Sequence, residues 1–328
     1  MITCSGSFGK ESEKGSGMFL SIFGLAGGIG MPMQTSINAQ LGKRIGSPFT
    51  AAMINFMVGL AALLIVTLVW ERSLLIPVDE LFAAPPWVMM GGVFAVIFVT
   101  GNILLMPRIG SVQTAILPAL GQIIMGTLID TFGWFNSAQK DMTWIRTLGI
   151  ILVFCGVLIV ILSKSGGIKA AGTHGGNQVR NVWLWRLFGV MVGMCMASQT
   201  AVNSHLGMVV ESRLFAAVVN FTVGLSLLII LHFILLKTKG PGVKDGKAPK
   251  WILCGGLFGV LFVVGNIITA QTLGTGMAVV ILLTGLMIGG LIVDQFGLFR
   301  SRQRPVGIRE VAGVAVMVAG AALFHAIV

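Results

Sequence analysis

Gln34-Thr35-Ser36-Ile37-Asn38-Ala39-Gln40-Leu41-Gly42 is written twice: it returns as Gln199-Thr200-Ala201-Val202-Asn203-Ser204-His205-Leu206-Gly207, with five of nine positions identical. A second stretch, Ala51-Ala52-Met53-Ile54-Asn55-Phe56-Met57-Val58-Gly59-Leu60, returns as Ala216-Ala217-Val218-Val219-Asn220-Phe221-Thr222-Val223-Gly224-Leu225. Both pairs are spaced by 165 residues, about half of the 328-residue chain. From Trp87 onward the match continues at a spacing of 164. Trp87, Gly91, Gly92, Phe94, Phe98, Gly101 and Asn102 pair with Trp251, Gly255, Gly256, Phe258, Phe262, Gly265 and Asn266. Asp130-x-Phe132-Gly133-x-Phe135 pairs with Asp294-x-Phe296-Gly297-x-Phe299, and Gly149 and Gly156 with Gly313 and Gly320. Self-similarity through both halves makes the chain a duplication of one unit.

The composition says which solvent that unit folds in. The chain is 55% hydrophobic and 10% charged, with 45 glycines and a mean hydropathy of +0.95. Soluble domains carry about a quarter charged residues, whereas membrane helices use Gly for close backbone approach. Ten apolar runs, at 18–42, 48–70, 87–106, 111–130, 144–162, 183–207, 214–236, 251–270, 275–294 and 308–327, each approach the ~20 residues that cross a bilayer as a helix. All seven tryptophans fall at or near their ends, as an aromatic belt does. Pro32 and Pro118 fall inside the first and fourth runs and are expected to kink them. The expected fold is an all-α integral membrane protein with ten transmembrane helices. Its expected divisions are a polar disordered tail (1–17), a first five-helix repeat (18–162), a linker (163–182) and a second repeat (183–328). The apolar run from Met18 is longer than the core of a cleavable signal peptide.

Five helices per repeat is an odd number, so a second copy joined directly to the first starts on the opposite side of the membrane. The repeats are therefore expected to have inverted topology. The net charge of +11 lies in the loops: 16 of the 22 Lys and Arg fall on one set and six on the other, termini included. The positive-inside rule makes the richer face cytoplasmic and puts both termini outside. A basic patch interleaved with aromatics is absent, which excludes nucleic acid as the expected partner. Cys155, Cys195 and Cys254 lie in apolar runs and Cys4 stands alone near the start, so neither a disulfide framework nor a Cys-x-x-Cys metal site is expected.

Polar side chains inside hydrocarbon require partners or water, and these mark the candidate path. They are Gln34, Asn38, Asn55, Asn102 and Gln122 in the first half, and Gln199, Asn203, Asn220 and Asn266 in the second. Gln34 and Asn38 are four apart and share a helix face. In the inverted topology the first set, Gln122 apart, lies toward the cytoplasm and the second toward the outside, flanking an apolar midplane. Phe94, Phe98, Phe258 and Phe262 are candidates for apolar lining, with helix packing as the alternative. The amides have an alternative role too, as interhelical hydrogen bonds worth roughly 0.6–2 kcal/mol each. Asp130 and Asp294 end apolar runs, where a helix-terminating turn is expected. Gly189-xxx-Gly193, Gly255-xxx-Gly259 and Gly285-xxx-Gly289 read as helix crossings. Enzyme signatures are missing, and no catalytic residue, metal or cofactor is expected.

A Gly-rich helix with Gln-x-x-x-Asn, followed by Ala-Ala-x-x-Asn-Phe-x-Val-Gly and present in both repeats, resembles the YdcZ-like inner-membrane family of the drug/metabolite transporter superfamily. The resemblance covers nearly the whole chain from Met18. Other members are single five-helix proteins thought to pair in antiparallel fashion, so this chain resembles a fused pair. The resemblance implies a bacterial inner-membrane protein that exports or facilitates passage of a small solute by alternating access. It leaves a homo-oligomer open. The contrasting expectation is a non-transporting membrane scaffold, in which the Gln and Asn pairs only join helices.

Overall fold

The computed structural model describes residues 7–168, 175–236, 249–273 and 275–325. Among them the chain is helical throughout its ordered elements. These are α1 (Ser7–Ile45), α2 (Pro48–Glu71), the short α3 (Val78–Ala83), α4 (Met90–Ile109), α5 (Ser111–Phe132), α6 (Trp144–Ile168), α7 (Gly175–Val209), α8 (Arg213–Leu236), α9 (Gly255–Leu273), α10 (Thr275–Phe296) and α11 (Ile308–His325). Eight segments among the described residues are long and apolar enough to span a bilayer: α2, Pro86–Ile109, α5, Trp144–Ser163, Val182–Val209, Arg213–Ile234, Ala278–Phe296 and α11. Each of the ten apolar runs coincides with a long helix, and α3 is an addition that its six-residue length hid in the sequence.

Helix α1 starts at Ser7, inside the stretch expected as a disordered tail, because Lys10, Glu11, Glu13 and Lys14 are good helix formers without an intervening Pro. Residues 1–6 of that tail lie outside the described residues. Helices α6 and α7 likewise extend into the expected linker from both ends, leaving 169–174 outside the described residues; the basic stretch 237–248 also lies outside them. Helices α1 and α5 continue through Pro32 and Pro118, and α4 contains Pro107 near its end.

The helices of the two halves interlock rather than lie side by side. Helix α1 packs against α9 and α10, and its repeat counterpart α7 packs against α4 and α5. Helix α2 meets α8, and α6 meets α11. Glycine makes these crossings possible, and each crossing has its mirror. A Cβ on Gly121 would collide with the carbonyl of Val190, and one on Gly285 with the carbonyl of Leu25. Gly92 lies against Asn220 and Gly224 backbone just as Gly256 lies against Asn55 and Gly59. Gly149 faces Gly320, and Gly156 faces Gly313. At the centre of the α2–α8 contact the repeat-related Phe56 and Phe221 rings meet at 5.2 Å. Residue i of one half touching j of the other, while j's counterpart touches i's, is the pattern of a self-complementary interface.

Side chains at these crossings have nowhere to go, which gives a direct test. Gly193→Leu, placed where a Cβ overlaps Pro118 backbone, is expected to lower the thermal unfolding midpoint of the detergent-solubilised protein, at a cost of about 1–3 kcal/mol or more. Gly126→Ala, where an added Cβ meets nothing within 4 Å, is expected to leave the midpoint unchanged or raise it.

Candidate functional site

Where α1 and α7 cross the opposite halves, three pairs of repeat-related residues converge: Met31 with Met196, Phe98 with Phe262, and Gln122 with Leu286. All six line a cavity of about 420 Å³. Its walls are mostly apolar, with Gln122, Asn266, Thr200, Ser204 and His205 supplying hydrogen-bonding groups. Few polar groups set in an apolar wall, at this volume, are the usual make-up of a small-molecule site. Asp130 and the turn from Phe135 to Lys140 border it on one side. His205 stacks on Trp87 with ring centroids 5.0 Å apart, which steadies that wall.

Met31, Phe98 and Leu286 also border a second void, of about 20 Å³, on their far side. That volume is room for about one water. Its other lining residues include Thr35, Asn102, Ala115 and Pro118. The repeat maps these four onto Thr200, Asn266, Val279 and Leu282, and all four of those line the large cavity. The same set of positions is therefore open in one half of the interface and collapsed in the other.

The ends of the two spaces differ in the same sense. At the collapsed end, Asp294 is 1% exposed, and its carboxylate accepts the backbone N–H of Ser111 at 2.8 Å and of Val112 at 3.2 Å. It thereby caps the N-terminus of α5, where unpaired N–H groups and the helix dipole favour an anion. Arg304 lies beside it, and a Cβ on Gly110 would run into the Arg304 guanidinium. Burial draws the Arg304 pKa down, while the Asp294 charge pushes it up. At the open end, Asp130 is 26% exposed and pairs with Arg146. The two carboxylates sit on matching turns. Gly133 and Gly297 adopt φ of 67° and 61°, and Lys140 N–H donates to the Asp130 carbonyl as Arg304 N–H does to that of Asp294.

The sequence candidates divide among these environments. Gln122, Asn266, Phe98 and Phe262 face the large cavity, and Asn102 faces the small void. Gln34, Asn38 and Asn55 lie away from both: Gln34 Nε2 and Asn38 Nδ2 donate to Asn55 Oδ1 at 3.0 and 2.9 Å. Their counterparts Gln199, Asn203 and Asn220 are not so joined. Each leaves its amide oxygen buried without a partner among the described residues, and Asn203 and Asn220 face Gly91 as Asn38 and Asn55 face Gly255. Phe94 and Phe258 are outside the cavity lining, and Phe258 rests against Gly30. Sequence reasoning passed over the Met31/Met196 and Thr35/Thr200 pairs and the His205 wall. The threonine pair was legible, because it stands beside the glutamine in both copies of the duplicated stretch. The methionines lie outside the matched stretches, so only the extended register reveals them.

The comparisons with known proteins agree with this architecture. A solved crystal structure superposes with a TM-score of 0.57 at 14% identity, covering 94% of this chain and 96% of that one, a likeness of fold alone. No curated protein matches by sequence. Residues 19–159 and 184–323 each match the family described as "Putative inner membrane exporter, YdcZ". The chain therefore belongs to the YdcZ family of inner-membrane exporters, with the family unit present twice in one polypeptide.

Proposed function

We propose that the protein carries a small, largely apolar solute with hydrogen-bonding groups across the inner membrane, by alternating access between two inverted five-helix repeats. In this reading all ten long helices cross the bilayer. The 420 Å³ cavity is the solute site, open on the face that carries Asp130 and Lys140. The bias of basic residues makes that face the outer one, with both termini outside. The observation that carries the reading is the pair of unequal spaces lined by repeat-related residues. Exchanging the two conformations between the halves would close the present cavity and open its counterpart on the cytoplasmic side, with Met31, Met196, Phe98 and Phe262 between them.

Gln122 and Asn266 then fix the solute's orientation through hydrogen bonds, and the phenylalanines and methionines supply apolar contact. The Gln34–Asn38–Asn55 cluster has a different job. It ties α1 to α2, and its three side chains are already committed to one another.

The reading is tested by a thermal-shift screen of small metabolites on the purified protein, followed by flux of any stabilising compound into proteoliposomes. A bound solute raises apparent stability in proportion to its occupancy. Gln122→Leu combined with Asn266→Leu is expected to abolish the solute-induced shift and lower flux by about tenfold, while the ligand-free unfolding midpoint stays near that of the wild type. Wild-type flux in that folded double variant would refute the site. Asn55→Leu is expected to do the reverse. It strands two buried amide donors, at about 1–3 kcal/mol of stability, yet keeps the solute-induced shift.

A further inference from the structure

We infer that Asp130 and Asp294 are alternating latches: each carboxylate, when engaged, caps the first turn of the other half's α5 or α10 helix and seals the solute path on its own face. The inference rests on the two-sided reading of the cavity above. Asp294 is in the engaged state. It reaches from the C-terminal end of α10 to the N–H groups of Ser111 and Val112 at the head of α5, and the space behind that contact is the collapsed one.

Every part of this contact has a repeat counterpart. Asp294 corresponds to Asp130, Ser111 and Val112 to Thr275 and Gly276 at the head of α10, and Arg304 to Lys140. The parts at the Asp130 face are in the released arrangement: Asp130 and Lys140 line the open cavity, and Asp130 is paired with Arg146 instead. Arg146 has no basic equivalent in the second half, where Glu310 stands and accepts the N–H of Gly307. The first half therefore has a built-in holder for its released carboxylate, and the second half does not. Closing the outer face requires Asp130 to leave Arg146 for the backbone N–H groups at Thr275. Opening the inner face requires Asp294 to leave Ser111. Engagement takes a carboxylate from partial solvation to two charge-assisted hydrogen bonds at a helix N-terminus, so the two latches oppose each other through the shared centre.

The test reads which face is open, in a background lacking the native cysteines. Thr200→Cys reports the large cavity and Thr35→Cys its collapsed counterpart, each through its rate of reaction with a membrane-impermeant thiol reagent added to one side of oriented vesicles. With the wild-type carboxylates, the position-200 thiol is expected to react from the Asp130 face and the position-35 thiol to be nearly inert. Asp294→Asn is expected to raise labelling at position 35 from the opposite face by about tenfold and to lower it at position 200. Asp130→Asn, which weakens the latch of the other state, is expected to leave position 35 inert and labelling at position 200 undiminished. Ser111→Pro serves if Asp294→Asn does not fold. It removes one donor of the engaged latch at the first helical position, where Pro is tolerated, and is expected to move the rates as Asp294→Asn does. Folded variants whose labelling ratio stays at the wild-type value, or Asp130 and Asp294 variants that shift it in the same direction, overturn the latch. Those outcomes leave the flux result of the Gln122 and Asn266 variants untouched, so failure of the latch is distinguishable from failure of the transport site.

Discussion

The close approach of helix backbones across the two halves is the constraint on which the rest of the molecule depends. In a bilayer, helices gain nothing from hiding Leu or Phe from lipid, so association rests on van der Waals contact between backbones that lie near one another. Gly28 against Gly285, Gly193 against Pro118, Gly92 against Gly224 and Gly149 against Gly320 supply that contact, and almost every such site has its counterpart in the other repeat. The first helix of each half thus belongs structurally to the opposite half. The large cavity follows from this arrangement, since it lies where α1 and α7 each meet the third and fourth long helices of the partner repeat.

Within that reciprocal frame the two halves are unequal in a coordinated way. One set of lining positions encloses about 420 Å³ and its counterpart about 20 Å³. The carboxylate at the small space is buried in a helix cap, while the one at the large space is partly exposed and ion-paired. Among the described residues the amide cluster on α1 and α2 is hydrogen-bonded and leaves one oxygen, Gln34 Oε1, unpaired, while its copy on α7 and α8 leaves three. Repeat-related segments that share a fold but take different conformations are the arrangement that exchange between two states requires.

Much of this was legible in the sequence, and the reasons are physical. The long apolar helices came through because a bilayer demands ~20 apolar residues per crossing and Trp marks the interfaces, whereas the short α3 and the polar extensions of α1, α6 and α7 carry no such signal. The glycine crossings came through because small residues at a four-residue spacing have few other uses in hydrocarbon. The candidate path was read less well. A polar side chain in an apolar helix announces itself equally whether it faces a cavity, as Gln122 and Asn266 do, or another amide, as Asn38 does with Asn55. Only the rotation of each helix about its own axis separates the two cases, and helices apolar on every side carry no amphipathic stripe to fix that rotation. Asp294 was legible as a turn but not as a cap for α5, because the contact spans 183 residues of sequence.

The central claim is that the two faces open in alternation about one solute site. Pulsed electron-spin distance measurements address it directly, using spin labels at positions 137 and 208 across the open mouth and at the repeat-related positions 301 and 43 across the other. The account predicts two populations for each pair, with added solute or Asp294→Asn shortening one pair's mean distance while lengthening the other's. A single unchanging distance for each pair, or two distances that lengthen and shorten together, would contradict it.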